Sequence, residues 1–272
     1  MLDLLSIFKS EAGRTKKYFG QHFLTNPHIL ELIAESAGVG KGSNVMEIGP
    51  GCGVLTHRFL ERGASVQAVE IDGDLASFLK RYLHIYPGFS VINEDFLKAD
   101  LSLIEGEDLI IAGNLPYNVS VDITVRCTDL HSRTKSMVFM YQKEVADRIN
   151  AKPKTRNYSS ITVLTDYYYT KKKVRDISGG QFWPNTKVTS TILLFTPRER
   201  QLEDSETEQR FLTFVRTCFQ KKRKTLRNNM AAHGNASELI RRAGFKESIR
   251  AEEMELEDFI KLFRIINENN EI

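Results

Sequence analysis

The chain has 272 residues, of which 41% are hydrophobic, and its 38 basic side chains nearly balance its 35 acidic ones. This length allows one large domain, or one large and one small domain, and no segment approaches the roughly 20 apolar residues that span a bilayer, which excludes a membrane-spanning protein. The three cysteines are odd in number and far apart, and the histidines are not paired with each other or with cysteine, which predicts free thiols, a cytoplasmic protein and no metal site.

The chain begins with a short apolar segment, residues 1–8, that contains an acid and lacks the basic flank and cleavage site of a signal peptide. Helix and strand patterns then alternate from residue 26 to residue 195. Asn26 and Pro27 are typical of a helix start, and Gly38 of its end. Similar patterns predict strands at 44–48, 65–70, 89–92, 109–113 and 136–141, and helices at 54–62, 75–83 and 121–130. Repeated βα units predict an α/β protein with a parallel sheet that is covered by helices on both faces.

The second half of the chain is less regular. Residues 158–169 fit either a helix or a strand, whereas 174–177 and 188–195 resemble late strands that could run antiparallel. Residues 196–208 are charged and poor in apolar side chains, which is typical of a linker. Helical spacing follows, up to a last helix through Ile260 and Phe263. We therefore predict a large domain over 1–198 and a small helical domain over 199–272.

A glycine-rich motif follows the first predicted strand. Gly49, Gly51 and Gly53 allow a tight turn and let a ligand approach the backbone. The spacing differs from the G-x-G-x-x-G pattern that binds a pyrophosphate, because Val54 occupies the sixth position, and this argues against a nicotinamide enzyme. Glu47 precedes the first glycine by two residues, and an acid at this position suits a ligand that carries an ammonium group and no phosphate.

Two more acids end the next two strands. Glu70 follows the second strand, where a carboxylate can accept hydrogen bonds from both hydroxyls of a ribose. NAD enzymes use an acid in the same way, so Glu70 alone does not choose the cofactor. Asp95 follows the third strand and can accept a hydrogen bond from the amino group of the cofactor's adenine.

The tetrapeptide Asn114, Leu115, Pro116 and Tyr117 follows the buried run 109–112. An amide oxygen, a backbone carbonyl and an aromatic ring together provide two hydrogen-bond acceptors and a stacking surface. These groups suit a planar amino-purine whose exocyclic nitrogen must attack a methyl group. Because both motifs lie at carboxyl ends of parallel strands, they predict an enzyme that holds S-adenosylmethionine beside a nucleobase.

Basic residues form three clusters: 152–156, 171–175 and a longer tract over 211–230 that contains six bases and no acid. Such clusters can bind a polyanion such as RNA, although a single cluster is equally typical of a solvated helix face. The candidate RNA-binding residues of the longest tract are Lys221, Lys222, Arg223, Lys224 and Arg227.

The chain resembles the ribosomal RNA adenine N6,N6-dimethyltransferases that modify small-subunit RNA. The resemblance covers nearly the whole length and rests on motifs in the family's order: residues 17–24, 47–53, 69–72, 94–95, 114–117, 142–145, 182–188, 223–228 and 250–252. It implies a Rossmann-like class I methyltransferase sheet with a small C-terminal helical domain, and S-adenosylmethionine as cofactor. The cofactor contacts that it implies are His22, Leu24, Gly49, Glu70, Asp95 and Asn114, to which the glycine turn adds Gly51.

The resemblance also implies that Phe182 stacks on the target adenine opposite Tyr117. One departure concerns this segment: the family's F-x-P-P-P-K-V reads Phe-Trp-Pro-Asn-Thr-Lys-Val over 182–188, with a single proline. Because prolines stiffen the backbone, the loss of two prolines predicts that this segment presents Phe182 less rigidly, and Trp183 is the alternative stacking residue.

The expected activity is dimethylation of N6 on two adjacent adenosines of small-subunit ribosomal RNA by a monomer, as a step in ribosome biogenesis. Two alternatives stay open at this point. One is a large-subunit adenine methyltransferase of the antibiotic-resistance type, and the other is a non-catalytic ribosome-assembly factor with the same fold. The match in the helical domain argues against the first, and the intact Glu70, Asp95 and tetrapeptide 114–117 argue against the second.

Overall fold

A computed structural model describes residues 3–11, 22–202, 204–232 and 235–270 of the chain. The main sheet contains seven strands: β1 Asn44–Ile48, β2 Ser65–Val69, β3 Phe89–Ile92, β4 Leu109–Asn114, β5 Thr134–Gln142, β6 Tyr169–Ile177 and β7 Ser190–Pro197. The helices are α1 Leu4–Glu11, α2 Pro27–Ala37, α3 Val54–Glu61, α4 Gly73–Leu83, α5 Ser120–Arg126, α6 Lys143–Ile149, α7 Ser160–Tyr168, α8 Ser205–Cys218, α9 Leu226–Asn229, α10 Ala236–Arg242 and α11 Leu256–Asn270.

The order of the strands across the sheet is β3-β2-β1-β4-β5-β7-β6. β1 lies parallel to β2 on one side and to β4 on the other, and β3 and β5 continue the parallel arrangement outward. β7 runs antiparallel to β5, as one of the late strands was expected to do. The chain reverses its direction of progress across the sheet between β1 and β4, and a crevice forms at such a switch point. The predicted α/β class with a mainly parallel sheet is confirmed.

The local signals around α2 are those that the sequence predicted. The side chain of Asn26 accepts a hydrogen bond from the backbone N–H of His28, and Gly38 ends the helix in the left-handed conformation at φ 74°. In β4, the residues Ile110, Ile111 and Ala112 are fully buried, as expected for a strand covered on both faces.

Several elements differ from the predicted ones. The ambiguous segment 158–169 is mostly the helix α7, which Ser159 starts with a capping box to Thr162. The predicted linker is shorter, because β7 continues to Pro197 and α8 begins at Ser205. Helices α1 and α6 were not predicted, and the second half of the predicted helix 121–130 is a 3₁₀ helix, Cys127–Arg133. A two-residue antiparallel ribbon, which pairs Phe23–Leu24 with Phe182–Trp183, was also not predicted.

The chain forms two compact units: residues 1–146 with 171–197, and residues 147–170 with 198–272. The sequence analysis divided the chain at residue 198 and so placed 147–170 in the large domain. In the structure this segment belongs to the second unit. Aromatic rings explain this contribution, because Tyr158 packs against Phe219 at 6.0 Å between ring centroids and Tyr167 packs against Phe211 at 5.2 Å. Within the described ranges, no helix combines the length and the apolar character that a membrane span requires.

Candidate active site

A cavity of about 370 Å³ lies in the first unit, where the carboxyl ends of β1, β2 and β4 meet. Volumes of this size are usual for small-molecule sites. Its wall includes most of the residues that the sequence analysis assigned to a cofactor or to the target base: His22, Leu24, Gly49, Gly51, Glu70, Asp95, Asn114, Leu115, Pro116 and Tyr117.

The glycine turn after β1 forms the floor of this cavity. Gly49 and Gly51 both have a positive φ, of 65° and 61°, which L side chains rarely adopt. A Cβ atom added at Gly51 would lie 2.6 Å from the ring of Phe23, whereas one at Gly49 would meet no protein atom within 4 Å. The absent side chain at Gly49 therefore leaves open space for a ligand, and the absent side chain at Gly51 lets Phe23 pack on the turn.

Glu70 connects this turn to the end of β2. One of its carboxylate oxygens accepts a hydrogen bond from the N–H of Gly51 at 3.1 Å, and the other accepts from the N–H of Asp72 at 2.9 Å. The side chain is only 4% exposed, and burial raises its pKa to about 7 although both N–H groups favour the charged form. Each oxygen retains a lone pair, so the residue can still accept ribose hydroxyls.

Glu47 is the most deeply buried acid of the cavity wall, at 2% exposure. Its pKa is raised to about 8, chiefly by burial and in smaller part by the nearby Glu70 carboxylate, while the neighbouring Thr56 hydroxyl acts to lower it. Its Oε2 atom has no hydrogen-bond partner among the described residues. A buried carboxylate oxygen without a donor is costly for a protein, and a cationic donor in the cavity would satisfy it.

Asn114 ends β4 with its amide in a defined orientation. The Nδ2 atom donates a hydrogen bond to the backbone carbonyl of His22 at 2.8 Å, and no described residue donates to Oδ1. The amide oxygen is therefore the end that can accept a hydrogen bond from a ligand. The following residue, Leu115, is 1% exposed, and its N–H donates to the carbonyl of Met140 on β5 at 3.2 Å. The backbone of the tetrapeptide is thus fixed to the sheet.

The two predicted stacking rings have different surroundings. Tyr117 is half-buried and lines the cavity, but Phe182 is 2% exposed, belongs to the apolar core of the first unit and is not part of the described cavity wall. Trp183 stacks on Phe23 at 6.3 Å between ring centroids, and the Lys9 ammonium lies 4.7 Å from its ring centroid. Neither residue of the 182–183 ribbon presents a free ring face to the cavity in this arrangement.

His22, Leu24 and Asp95, which came from the family resemblance or from weaker signals, all line the cavity. His22 is held by a hydrogen bond between its Nδ1 and the carbonyl of Pro184 at 2.8 Å. One carboxylate oxygen of Asp95 accepts from the N–H of Leu97 at 3.0 Å. Residues 17–21 of the predicted motif 17–24 lie outside the described residues.

The sequence analysis missed the apolar part of the wall. Ile71 is 51% exposed, unusual for a large apolar side chain, and it lines the cavity together with Leu97. Both positions follow the acids closely, Ile71 by one residue after Glu70 and Leu97 by two after Asp95. An apolar residue closely following an acid at a strand end was therefore the available signal. Among the residues that the structure describes, no group of three or more His, Cys, Asp or Glu side chains could hold a metal ion.

The predicted RNA-binding residues lie in the second unit. Lys221, Lys222, Arg223 and Lys224 form an exposed loop between α8 and α9, and Arg227 is exposed on α9, where it pairs with Glu247 at 3.3 Å. The cluster at 171–175 lies instead on β6, at the edge of the main sheet. Lysines on an edge strand also prevent pairing with other chains, so this cluster has a structural explanation of its own.

Comparison with known proteins identifies the family of the chain. Residues 12–268 match the family model for ribosomal RNA adenine dimethylase. A ribosomal RNA small subunit methyltransferase A from Streptococcus thermophilus is 38% identical over 267 residues, covering 93% of this chain and 92% of that protein. The protein of the same name from Clostridium botulinum is 39% identical over 256 residues, covering 90% and 92%.

Two solved structures of adenosine and rRNA methyltransferases are similar to this chain. A dimethyladenosine transferase from Plasmodium falciparum has a TM-score of 0.80 at 26% identity, covering 92% of this chain and 98% of that chain. The 23S rRNA methyltransferase ErmE has a TM-score of 0.68 at 25% identity, covering 90% and 99%. The family resemblance read from the motifs is confirmed: the chain belongs to the ribosomal RNA adenine dimethylase family and is an S-adenosylmethionine-dependent rRNA adenine methyltransferase.

Proposed function

We propose that this protein dimethylates N6 of two adjacent adenosines in small-subunit ribosomal RNA, as a cytoplasmic monomer and as a step in ribosome biogenesis. The observation that carries the proposal is the orientation of the Asn114 amide. Its nitrogen is occupied by the His22 carbonyl, so its oxygen is available to an exocyclic amino group.

The residues of the cavity fit S-adenosylmethionine, which supplies a methyl group on a sulfonium centre. Gly49 leaves space at the turn, and the unpartnered Oε2 of Glu47 suits the ammonium of the methionyl end. Glu70 would accept the ribose hydroxyls and Asp95 the adenine amino group. The exposed side chain of Ile71 and the neighbouring Leu97 would contact the apolar faces of the adenine ring.

On the RNA side, the amino nitrogen of adenine is a weak nucleophile because its lone pair is delocalised into the ring. The Asn114 oxygen and the Leu115 carbonyl would accept its two N–H bonds, favour a tetrahedral nitrogen and direct its lone pair toward the methyl group. Positioning and electrostatics supply the catalysis, and no side chain has to titrate.

The target adenine must leave the RNA stack, at a cost of about a few kcal/mol. Stacking of the flipped base on Tyr117 would offset roughly 1–3 kcal/mol of this cost. The second stacking face is assigned to Phe182 by the family resemblance. Because that ring is buried, this role requires the ribbon to move when the base enters.

The choice of the small subunit rests on the relatives. The curated proteins at 38–39% identity are named as small-subunit methyltransferases, whereas ErmE, which is named for 23S rRNA, is 25% identical. A non-catalytic assembly factor would have no need for an oriented amide beside an acid-lined cavity, so we favour the enzyme.

The test is methyl transfer from labelled S-adenosylmethionine to immature small subunits and, separately, to large subunits. We expect label in small-subunit RNA only. Label in large-subunit RNA alone would support the antibiotic-resistance alternative, and the absence of label from both would support the assembly factor.

A further inference from the structure

Two basic loops of the second unit lie against each other. The ammonium of Lys222, in the loop 221–224, donates a hydrogen bond to the backbone carbonyl of Arg156, in the loop 152–156, at 2.8 Å. The two loops are 65 residues or more apart in sequence, yet together they contain seven bases and no acid. We call these nine residues the paired-loop surface.

Both loops have backbones that are fixed to the unit below them. Asn229, which is 8% exposed, accepts from the N–H of Lys221 at 2.9 Å and donates to its carbonyl at 3.4 Å. In the other loop, the N–H of Lys154 donates to the carbonyl of Glu252 at 2.7 Å. The buried ring of Tyr158 then anchors the end of this loop against Phe219. The cations are therefore attached to ordered backbone rather than to a free tail.

The side chains of these loops are exposed and have no acidic partners among the described residues. Lys152, Lys154 and Arg156 are all exposed, as are the four bases of the second loop. Glu252 is the acid whose backbone holds Lys154, and its carboxylate is paired with Arg250 at 3.7 Å. The positive charge of the paired-loop surface is thus not neutralised by any acid that the structure describes in this unit.

Lys154 adds a second, independent observation. Its φ is +66°, one of two positive values for non-glycine residues in the described chain. Lysine is disfavoured in this conformation, where glycine or asparagine would be easier to accommodate. The loop therefore carries a cation at a position whose backbone geometry favours a different residue type.

We propose that the loop 152–156 binds the phosphate backbone of the RNA substrate together with the loop 221–224, as one surface. This inference rests on the proposed function, because it takes ribosomal RNA as the polyanion. It extends the RNA contact from the tract 221–227 to a segment that precedes it by more than 60 residues. Exposed, unpaired cations of this kind contribute sequence-independent affinity by releasing counterions from the RNA.

The test is the salt dependence of binding to naked small-subunit ribosomal RNA. A triple variant, Lys152→Gln, Lys154→Gln and Arg156→Gln, should bind more weakly. Each lost phosphate contact reduces the slope of log K against log salt by about 0.7–0.9, so we expect a reduction of roughly 2–3 for three contacts. The matched control is Arg241→Gln, Arg242→Gln and Lys261→Gln, which removes the same charge from exposed positions of the same unit. These three side chains contact Glu247, Glu268 and the ring of Phe245, respectively.

The proposal requires that the loop variant reduces the slope of log K against log salt more than the control variant does. Equal slopes for the loop variant and the control would overturn it, provided that both bind S-adenosylhomocysteine as the wild type does in calorimetry. If the wild type transfers methyl groups to small-subunit RNA but the slopes are equal, the paired-loop inference fails alone. If the wild type transfers none, the proposed function fails.

A single substitution separates charge from folding. Lys154→Gly removes the cation but relieves the positive φ, so its melting temperature should not fall while its RNA affinity and salt slope both decrease. A variant with unchanged RNA affinity and slope would show that Lys154 is not a phosphate contact.

Discussion

Asn114 has one amide group whose two ends meet different neighbours. The nitrogen is fixed by the His22 carbonyl, which comes from a segment 92 residues earlier in the chain. The motif alone predicted that an amide oxygen faces the base, but it did not identify the partner that orients it. That partner is a backbone carbonyl. Because every residue has one, the sequence gives no indication of which carbonyl the amide contacts.

We expect Asn114→Ala to lower kcat by about 10²–10³-fold, the effect of removing one oriented hydrogen-bonding group from a transition state. Binding of cofactor and RNA should change little, because the amide oxygen acts mainly when the nitrogen becomes tetrahedral. Single-turnover methylation gives the rate, and calorimetry gives the affinity. Asn235→Ala is the control, since this amide is exposed and does not line the cavity. A near-normal rate for Asn114→Ala would mean that another group orients the amine.

Glu70 holds the glycine turn in place in addition to its proposed contact with the ribose. The sequence analysis placed it at a strand end as a ribose acceptor, and in the structure it is also buried and accepts from the N–H groups of Gly51 and Asp72. Glu70→Ala should therefore abolish cofactor binding and also loosen the glycine turn. Glu70→Gln keeps the shape but places an amide donor beside one N–H, so it should weaken binding with a smaller loss of stability. Calorimetry with S-adenosylhomocysteine and thermal melts distinguish these effects, and unchanged affinity in both variants would refute the assigned site.

The buried acids predict a pH dependence of cofactor binding. In the free protein the pKa of Glu47 is raised to about 8, so this carboxyl is protonated at neutral pH. An ammonium group in the cavity favours the charged form, so binding releases a proton and the association constant should rise with pH until about pH 8. Above that pH the Glu47 carboxyl is already ionised in the free protein, so the association constant should level off.

Two comparisons isolate Glu47 from Glu70, whose pKa is also raised, to about 7. Glu47→Gln should bind S-adenosylhomocysteine more weakly, with a shallower pH dependence. Binding of 5′-methylthioadenosine, which has the ribose but no ammonium, should be the same in Glu47→Gln and wild type. If Glu47→Gln weakens the binding of both ligands equally, Glu47 does not recognise the ammonium.

The ribbon between Phe23–Leu24 and Phe182–Trp183 connects the cavity wall to the core. Leu24 pairs with Phe182, and Phe23 packs on Gly51, so a change in the ribbon would be transmitted to the glycine turn. This arrangement explains why His22 and Leu24 line the cavity although no chemical pattern in the sequence identified them. A hydrophobic residue near a site is indistinguishable from core by sequence until the pairing of its strand is known.

The stacking assignments are tested by three alanine variants. Tyr117→Ala should cost roughly 1–3 kcal/mol of flipped-base stabilisation with little loss of fold stability. Phe182→Ala removes a fully buried ring and should lower the free energy of unfolding by about 3–5 kcal/mol. Trp183→Ala should have a small effect on single-turnover rates with immature small subunits. If Trp183→Ala reduces the rate more than Phe182→Ala does in variants that fold, the indole is the second stacking face.

The regular part of the fold was predictable because its signals are local. The five predicted strands β1 to β5 and the caps of α2 follow from short-range patterns around Asn26 and Gly38 and from buried runs such as 109–112. Helix α7 was ambiguous because seven of its nine residues are buried, so no polar face shows the helical period. Long-range pairings such as Leu24 with Phe182 could not be read from any local pattern.

The candidate active site and the proposed RNA contacts lie in different compact units of the chain. The first contains the complete cavity, and the second contains the paired-loop surface and α8 to α11. The contribution of 147–170 to the second unit could not be predicted, because it depends on aromatic contacts such as Tyr167 with Phe211 across more than 40 residues. The basic clusters 152–156 and 211–230 belong to the second unit, whereas the cluster 171–175 belongs to the first.

The most direct measurement is mass spectrometry of the nucleosides from immature small-subunit RNA after incubation with the protein and S-adenosylmethionine. We predict N6,N6-dimethyladenosine at two adjacent positions with the wild type, and none above background with Asn114→Ala at the same time point. Methylation of a different base or atom, or unmodified RNA in the presence of protein that binds S-adenosylhomocysteine normally, would contradict the proposal that the oriented amide of Asn114 presents an adenine N6 for methylation.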